Sequence, residues 1–170
     1  GRRIAKEINF LVIYGGGPSL LETKARIKYN EARNYLGRWK RRYKGVVAYH
    51  KGLLEQARKT GEVETILGRK MPVRSLDERG RRKVLNHIVQ GSAADLMKLA
   101  MLQLERRLKE RGLDARMILQ IHDELILEAE ESQVREVVEL VKKTMEGALT
   151  LKTGLKVKVR TGKNWAELGG

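Results

Sequence analysis

The hydrophobic pattern divides the chain into a helical first part and a mixed second part. Ile8-Asn9-Phe10-Leu11-Val12-Ile13-Tyr14 has strand propensity. Yet Arg2, Lys6, Phe10 and Tyr14 recur at every fourth residue, which on a helix draws one slowly drifting stripe. The spacing predicts a helix ended by Gly15-Gly16-Gly17-Pro18. Ser19 is expected to cap a short helix through Glu22. Asn30 is expected to cap a longer one over 31–42, with Ala32, Tyr35, Leu36 and Trp39 as its apolar stripe. Gly45 is expected to break that helix, and 46–59 to form another closed by Gly61. Residues 63–66 and 71–73 read as a small hairpin around Leu67-Gly68-Arg69-Lys70. A long helical region follows over 77–111, with Gly91 as a possible bend and Gly112 as its stop.

The period then changes. Residues 115–121 and 125–129 read as strands around His122-Asp123, and Ser132 as the cap of a helix over 133–149. Val134, Val137, Val138, Val141 and Met145 form that helix's inward face. Leu155-Lys156-Val157-Lys158-Val159-Arg160 alternates strictly, as a half-buried strand with a basic outer face does. Helices followed by β-β-α-β predict an α+β fold with a small antiparallel sheet. The expected organisation is a helical subdomain over 1–80 and an α+β subdomain over 81–170.

Charge narrows the partners. Lys and Arg number 36 against 21 Asp and Glu, giving a formal net charge of +15. That excess suits nucleic acid, an anionic membrane or an acidic protein. The absence of cysteine excludes a disulfide framework, a thiol nucleophile and a Cys-ligated zinc. No signal peptide is expected, and no apolar run approaches membrane-spanning length. The string His122-Asp123-Glu124-Leu125 resembles a luminal retention signal, which acts only at a C-terminus, so that reading is discarded.

Three constellations carry chemistry. His122, Asp123 and Glu124 place an imidazole and two carboxylates at a hairpin tip in a basic chain, where the competing explanation is an ordinary turn. A hard divalent ion such as Mg²⁺ wants few carboxylates and several water or phosphate oxygens, and a two-metal site needs a further carboxylate from elsewhere. The Arg2–Tyr14 stripe would extend about 18 Å along a helix, with a forked and a mobile cation at one end and rings at the other. That geometry matches a nucleotide, and equally an amphipathic helix with a solvated basic end. The Gly15-Gly16-Gly17 run lacks the Gly-Lys-Ser/Thr of a phosphate loop. Arg82, Asn86 and Gln90 lie one helical turn apart, and their amides could donate to the minor-groove acceptors common to all base pairs; capping or surface polarity is the alternative.

In this order the three constellations resemble the C-terminal part of family A (polymerase I-like) DNA polymerases. Arg2-Arg3-Ile4-Ala5-Lys6-Glu7-Ile8-Asn9-Phe10-Leu11-Val12-Ile13-Tyr14-Gly15 is similar to the family's motif B in the fingers, and Gln120-Ile121-His122-Asp123-Glu124-Leu125 to motif C in the palm. Val89-Gln90-Gly91-Ser92-Ala93-Ala94-Asp95, Val63-Glu64-Thr65-Ile66-Leu67-Gly68-Arg69 and Gly162-Lys163-Asn164-Trp165 add further likeness. The resemblance implies fingers over 1–80 and part of a palm over 81–170. It implies that Arg2 and Lys6 bind the triphosphate, that Phe10 packs on the deoxyribose, and that Tyr14 sits by the templating base. Phe10, where some members carry Tyr, implies discrimination against dideoxynucleotides.

Asp123 and Glu124 would be the metal ligands and, with Lys6, the catalytic residues; two Mg²⁺ ions are the implied cofactors. Arg82, Asn86, Gln90 and His122 would contact primer-template DNA. The family's motif A carboxylate and its thumb are expected upstream of motif B. The chain is therefore expected to be one piece of a split or truncated polymerase, needing a second polypeptide that carries motif A, the thumb and the remaining palm. A bacterial or phage-like cytoplasmic setting and no membrane follow. The rivals are a non-catalytic DNA-binding accessory module and a fragment of a single-subunit phage-type RNA polymerase, against which Asn9-Phe10 and Glu124 argue.

Overall fold

The computed structural model describes residues 2–168, with the side chains of residues 2–4 and 7 outside the described set. Backbone contacts divide the chain into two compact units, Gly1–Ser92 and Ala93–Gly170.

The first unit begins with α1 (Arg2–Ile13), a helix despite the β propensity of its second half. Its apolar face decides the outcome. Ile8 and Val12 are buried with Leu21 of α2 (Pro18–Ala25) and with Ala32, Leu36 and Trp39 of α3 (Tyr29–Arg42). The turn after α1 requires glycine twice. Gly15 takes φ +81°, and a Cβ on Gly16 would stand 2.6 Å from the Leu11 carbonyl oxygen that its own N–H bonds at 2.8 Å.

Neither expected cap forms. α2 starts at Pro18 after Gly17, so Ser19 is already inside it, and α3 starts after Lys28, so Asn30 is too; neither N-cap makes a side-chain bond. Gly45 does not break the helix as expected. The joint is Tyr43 (φ −110°, ψ 52°), and Gly45 lies within α4 (Lys44–Thr60). Gly61, left-handed at φ +71°, closes α4 by donating its N–H to the Ala57 carbonyl. The short antiparallel pair β1 (Glu62–Glu64) and β2 (Lys70–Pro72) follows. Val63 joins a second core with Leu53, Ala57, Val84, Leu85 and Ile88.

Helix α5 (Glu78–Glu110) runs through Gly91 without a break. A Cβ there would lie 3.0 Å from Thr65 Cγ2 and 3.1 Å from Arg69 Nη2. The glycine admits the β1–β2 hairpin to the helix surface rather than weakening the helix. At the start of α5, Asp77 Oδ1 accepts the Gly80 N–H at 2.6 Å.

In the second unit β3 (Ala115–Ile121) and β4 (Glu124–Ala129) pair antiparallel from Ala115↔Ala129 to Ile121↔Glu124, with a one-residue bulge at Ile118. One face packs Met117, Leu125 and Leu127 on Leu104 and Leu108 of α5 and on Val137, Leu140 and Val141 of α6 (Val134–Glu146). Ser132 does not cap α6; it falls in a 3₁₀ turn (Glu131–Gln133), and α6 ends at Glu146, capped by Gly147, rather than at Leu149. Residues 155–160 form no strand among the described residues. Alternation specifies the faces of a strand, but a strand exists only by its ladder, and here the Val157 N–H bonds Glu146 Oε1 at 3.0 Å. The second unit therefore reads β-β-α, not β-β-α-β. The α+β class holds, mostly helical with two small antiparallel sheets. Among the described residues no helix is long and apolar enough to cross a membrane.

Candidate functional site

Burial of Ile8 and Val12 turns the other face of α1 outward. Lys6 is exposed, with Nζ 5.7 Å from the Phe10 ring centroid, and Phe10 is 48% exposed. The Phe10 and Tyr14 rings stack at 6.5 Å between centroids and 18° between planes. An exposed cation and ring on α1 are thus followed by a second, half-buried ring in the turn just after the helix. Arg2, the stripe's first member, has its side chain outside the described residues. The row does not line the cleft of about 680 Å³ in this unit, whose walls include Val12, Trp39, Leu54 and Leu85.

The α5 row lies in the same unit. Val84, Leu85 and Ile88 are buried, which leaves Arg82 and Asn86 half-buried and Gln90 exposed. Arg82 Nη1 pairs with Glu78 Oε1 at 2.7 Å. Gly15 meets this helix closely: a Cβ on it would lie 2.9 Å from Leu85 Cδ1 and 3.7 Å from Arg82 Cγ. The Tyr14 end of α1 and the Arg82 end of the α5 row are therefore neighbours.

Sequence reasoning missed the clasp beside Gln90. Arg69 donates through Nη2 to the Gly91 carbonyl at 3.2 Å, and the Ile66 N–H donates to Ser92 Oγ at 2.9 Å. Thr65 beneath them is buried, and its Oγ1 accepts the Arg69 N–H at 3.1 Å. The clasp brings Arg69 to the turn of α5 that carries Gln90. The available signal was the glycine in an otherwise strong helix, which marks a close approach as readily as a bend. Next to Arg69, Lys70 hydrogen-bonds Glu62 at 2.6 Å, and that bond with the Glu62 charge raises its pKa.

In the second unit a two-residue loop, His122-Asp123, joins β3 to β4. Its first position needs positive φ, and His122 takes it at +53°. Gln120 Nε2 donates to the His122 carbonyl at 2.8 Å and steadies the tip. His122, Asp123 and Glu124 are all exposed. The carboxylate oxygens of Asp123 and Glu124 suit a hard cation such as Mg²⁺, but among the described residues no group of three or more His, Asp or Glu could hold a metal. Asp123 and Glu124 are neighbours in sequence at this tip, and among the described residues no third acid joins them.

Residues 1–167 match the sequence model of DNA polymerase family A. The chain is 44% identical to the thermostable DNA polymerase I of Thermus thermophilus, an alignment covering 96% of this chain and 20% of that protein. It is 41% identical to DNA polymerase I of Pseudomonas aeruginosa, over 98% of this chain and 19% of the relative. Among solved structures, the POL domain of Pol1 from M. smegmatis, in complex with DNA primer-template and dNTP, superposes with a TM-score of 0.92 at 34% identity. That match covers 99% of this chain and 31% of the other. The chain spans about a fifth of the length of these curated relatives.

Proposed function

The chain belongs to DNA polymerase family A, and we propose that it supplies the nucleotide-binding helix and one side of the metal site of a template-directed DNA polymerase. What carries the reading is the Lys6–Phe10–Tyr14 row: an exposed cation and an exposed ring on a helix whose other face is core, with the half-buried Tyr14 ring stacked on Phe10 just past the helix end. In this reading residues 1–80 work as fingers and 81–170 as part of the palm. Arg2 and Lys6 bind the triphosphate, and Lys6 offsets charge on the departing pyrophosphate. Phe10 packs on the deoxyribose, and Tyr14 borders the templating base.

The reaction joins a primer 3′-oxygen to the α-phosphorus of a deoxynucleoside triphosphate and releases pyrophosphate. When bound, two Mg²⁺ ions would supply charge neutralisation at the attacking and leaving oxygens. Asp123 would ligate them, with Glu124 beside it. Arg82, Asn86, Gln90 and His122 grip the primer-template near its growing end. Swinging of α1 over a correct pair would check its shape and exclude water. The work is that of a replicative or repair enzyme in a bacterial-type cytoplasm.

The further carboxylate that a two-metal site needs is not offered by a third acid at this tip among the described residues. We assign it to a polypeptide segment carrying motif A, the thumb and the remaining palm, whether joined to this chain or separate. The test is primer extension with Mg²⁺ and four deoxynucleotides, by the 170-residue chain alone and with that segment added. Extension only in the mixture supports the reading. Robust extension by the chain alone rejects the divided metal site, and DNA binding without extension in the mixture leaves the accessory-module reading.

A further inference from the structure

Asn9 belongs to none of the three constellations, yet its side chain makes three hydrogen bonds. Its Oδ1 accepts hydrogen bonds from the Tyr35 hydroxyl at 3.2 Å and from Trp39 Nε1 at 3.1 Å. Its Nδ2 donates to the Ala5 carbonyl at 3.0 Å. Both lone pairs of the oxygen are thereby engaged. Tyr35 and Trp39 stand one turn apart on α3, so their donors converge on one point of α1.

The apolar contacts between these helices cannot do the same job. Burial of Ile8 and Val12 against Leu36 and Trp39 is strong but non-directional, and it tolerates a roll or a slide of α1. Two hydrogen bonds to one atom do not. Side-chain tips lie about 5–6 Å from a helix axis, so a roll of about 20° moves each by about 2 Å. Displacements of that size at a reacting centre are costly. Phe10 is the next residue, and Lys6 lies one turn before it on the outward face.

We propose that Asn9 is a positioning residue that fixes the roll and axial setting of α1 through Tyr35 and Trp39, and so aims the Lys6–Phe10–Tyr14 row at the incoming nucleotide. The inference rests on the reading of that row as the nucleotide site.

The test uses the full chain and titrates a deoxynucleoside triphosphate with Mg²⁺ by calorimetry, alongside thermal unfolding. Asn9→Leu is expected to weaken binding roughly five- to tenfold, and Tyr35→Phe, which removes one oxygen and keeps the ring, roughly two- to fivefold. The double variant is expected to be no weaker than Asn9→Leu, because the two losses share one contact. A merely structural role would lower the unfolding temperature without changing affinity at temperatures where the variants stay folded. Affinities within twofold of the parent in both single variants overturn the proposal. Lys6→Ala separates the two failures. If it weakens binding while Asn9→Leu and Tyr35→Phe do not, only the positioning role is lost. If Lys6→Ala leaves binding intact, or the parent chain binds no triphosphate, the reading of the row falls and the proposal with it.

Discussion

Thr65 lies over Gly91 so closely that a methyl group on the glycine would stand 3.0 Å from its Cγ2. Alanine in a helix interior is ordinarily better than glycine by about 1 kcal/mol. Here the crowding against Thr65 and Arg69 opposes that gain, at a cost of about 1–3 kcal/mol for overpacking. Gly91→Ala is expected to destabilise the chain by about 1 kcal/mol in urea unfolding. Adding Thr65→Ser removes the nearest atom and keeps the hydroxyl that accepts the Arg69 N–H, so the double variant should regain that loss. A stabilised Gly91→Ala would mean that the hairpin yields.

Asp123 sits exposed at the hairpin tip with Glu124 as its neighbour and no third acid among the described residues. In the assembled polymerase, Asp123→Asn should cut the extension rate by about 10³-fold or more, since metal-borne charge stabilisation amounts to several kcal/mol. Primer-template affinity, measured by fluorescence anisotropy, should change little. An unchanged extension rate would reject the metal role.

His122 holds a left-handed backbone at φ +53° that costs a side-chain-bearing residue about 1–2 kcal/mol. Glycine relieves the strain and loses part of the gain to chain entropy. His122→Gly should therefore raise stability by about 0.5–1 kcal/mol while weakening primer-template binding. A gain in stability with unaltered DNA affinity would make the histidine a turn residue only.

The Gly80 N–H bonded to Asp77 lowers the carboxyl's pKa, with lesser help from Ser75 and Arg79 and some opposition from desolvation. A depressed folded pKa stabilises above the unfolded value of about 3.9 and loses that contribution as pH falls through the folded value. The unfolding temperature of the parent should therefore exceed that of Asp77→Ala at pH 6–7, with the gap closing below about pH 4. A gap independent of pH would show that the cap acts without its charge.

How much was legible depended on whether a feature was local. The α1 helix was readable because a fourfold stripe outweighs β propensity in Ile8–Tyr14. The β3–β4 tip was readable because two apolar runs left only His122 and Asp123 between them. Ser19, Asn30 and Ser132 were poor guides. Helix starts here are set by Pro18, by the backbone at Lys28 and by a 3₁₀ turn, not by a side-chain oxygen. Residues 155–160 carry a strand's alternation, but no sequence pattern states that a neighbour will be there. The acidic tip and the α1 row were visible as chemistry. Asn9 was not, because its partners lie 26 and 30 positions away.

The distance from Asn9 to those partners has a consequence for gene shuffling between relatives. A crossover placed between Tyr14 and Tyr35 would take the helix from one parent and the hydroxyl and indole that grip it from another. Such chimaeras can keep every motif intact and still fail, whereas crossovers beyond Trp39 pass the three residues on as one heritable block.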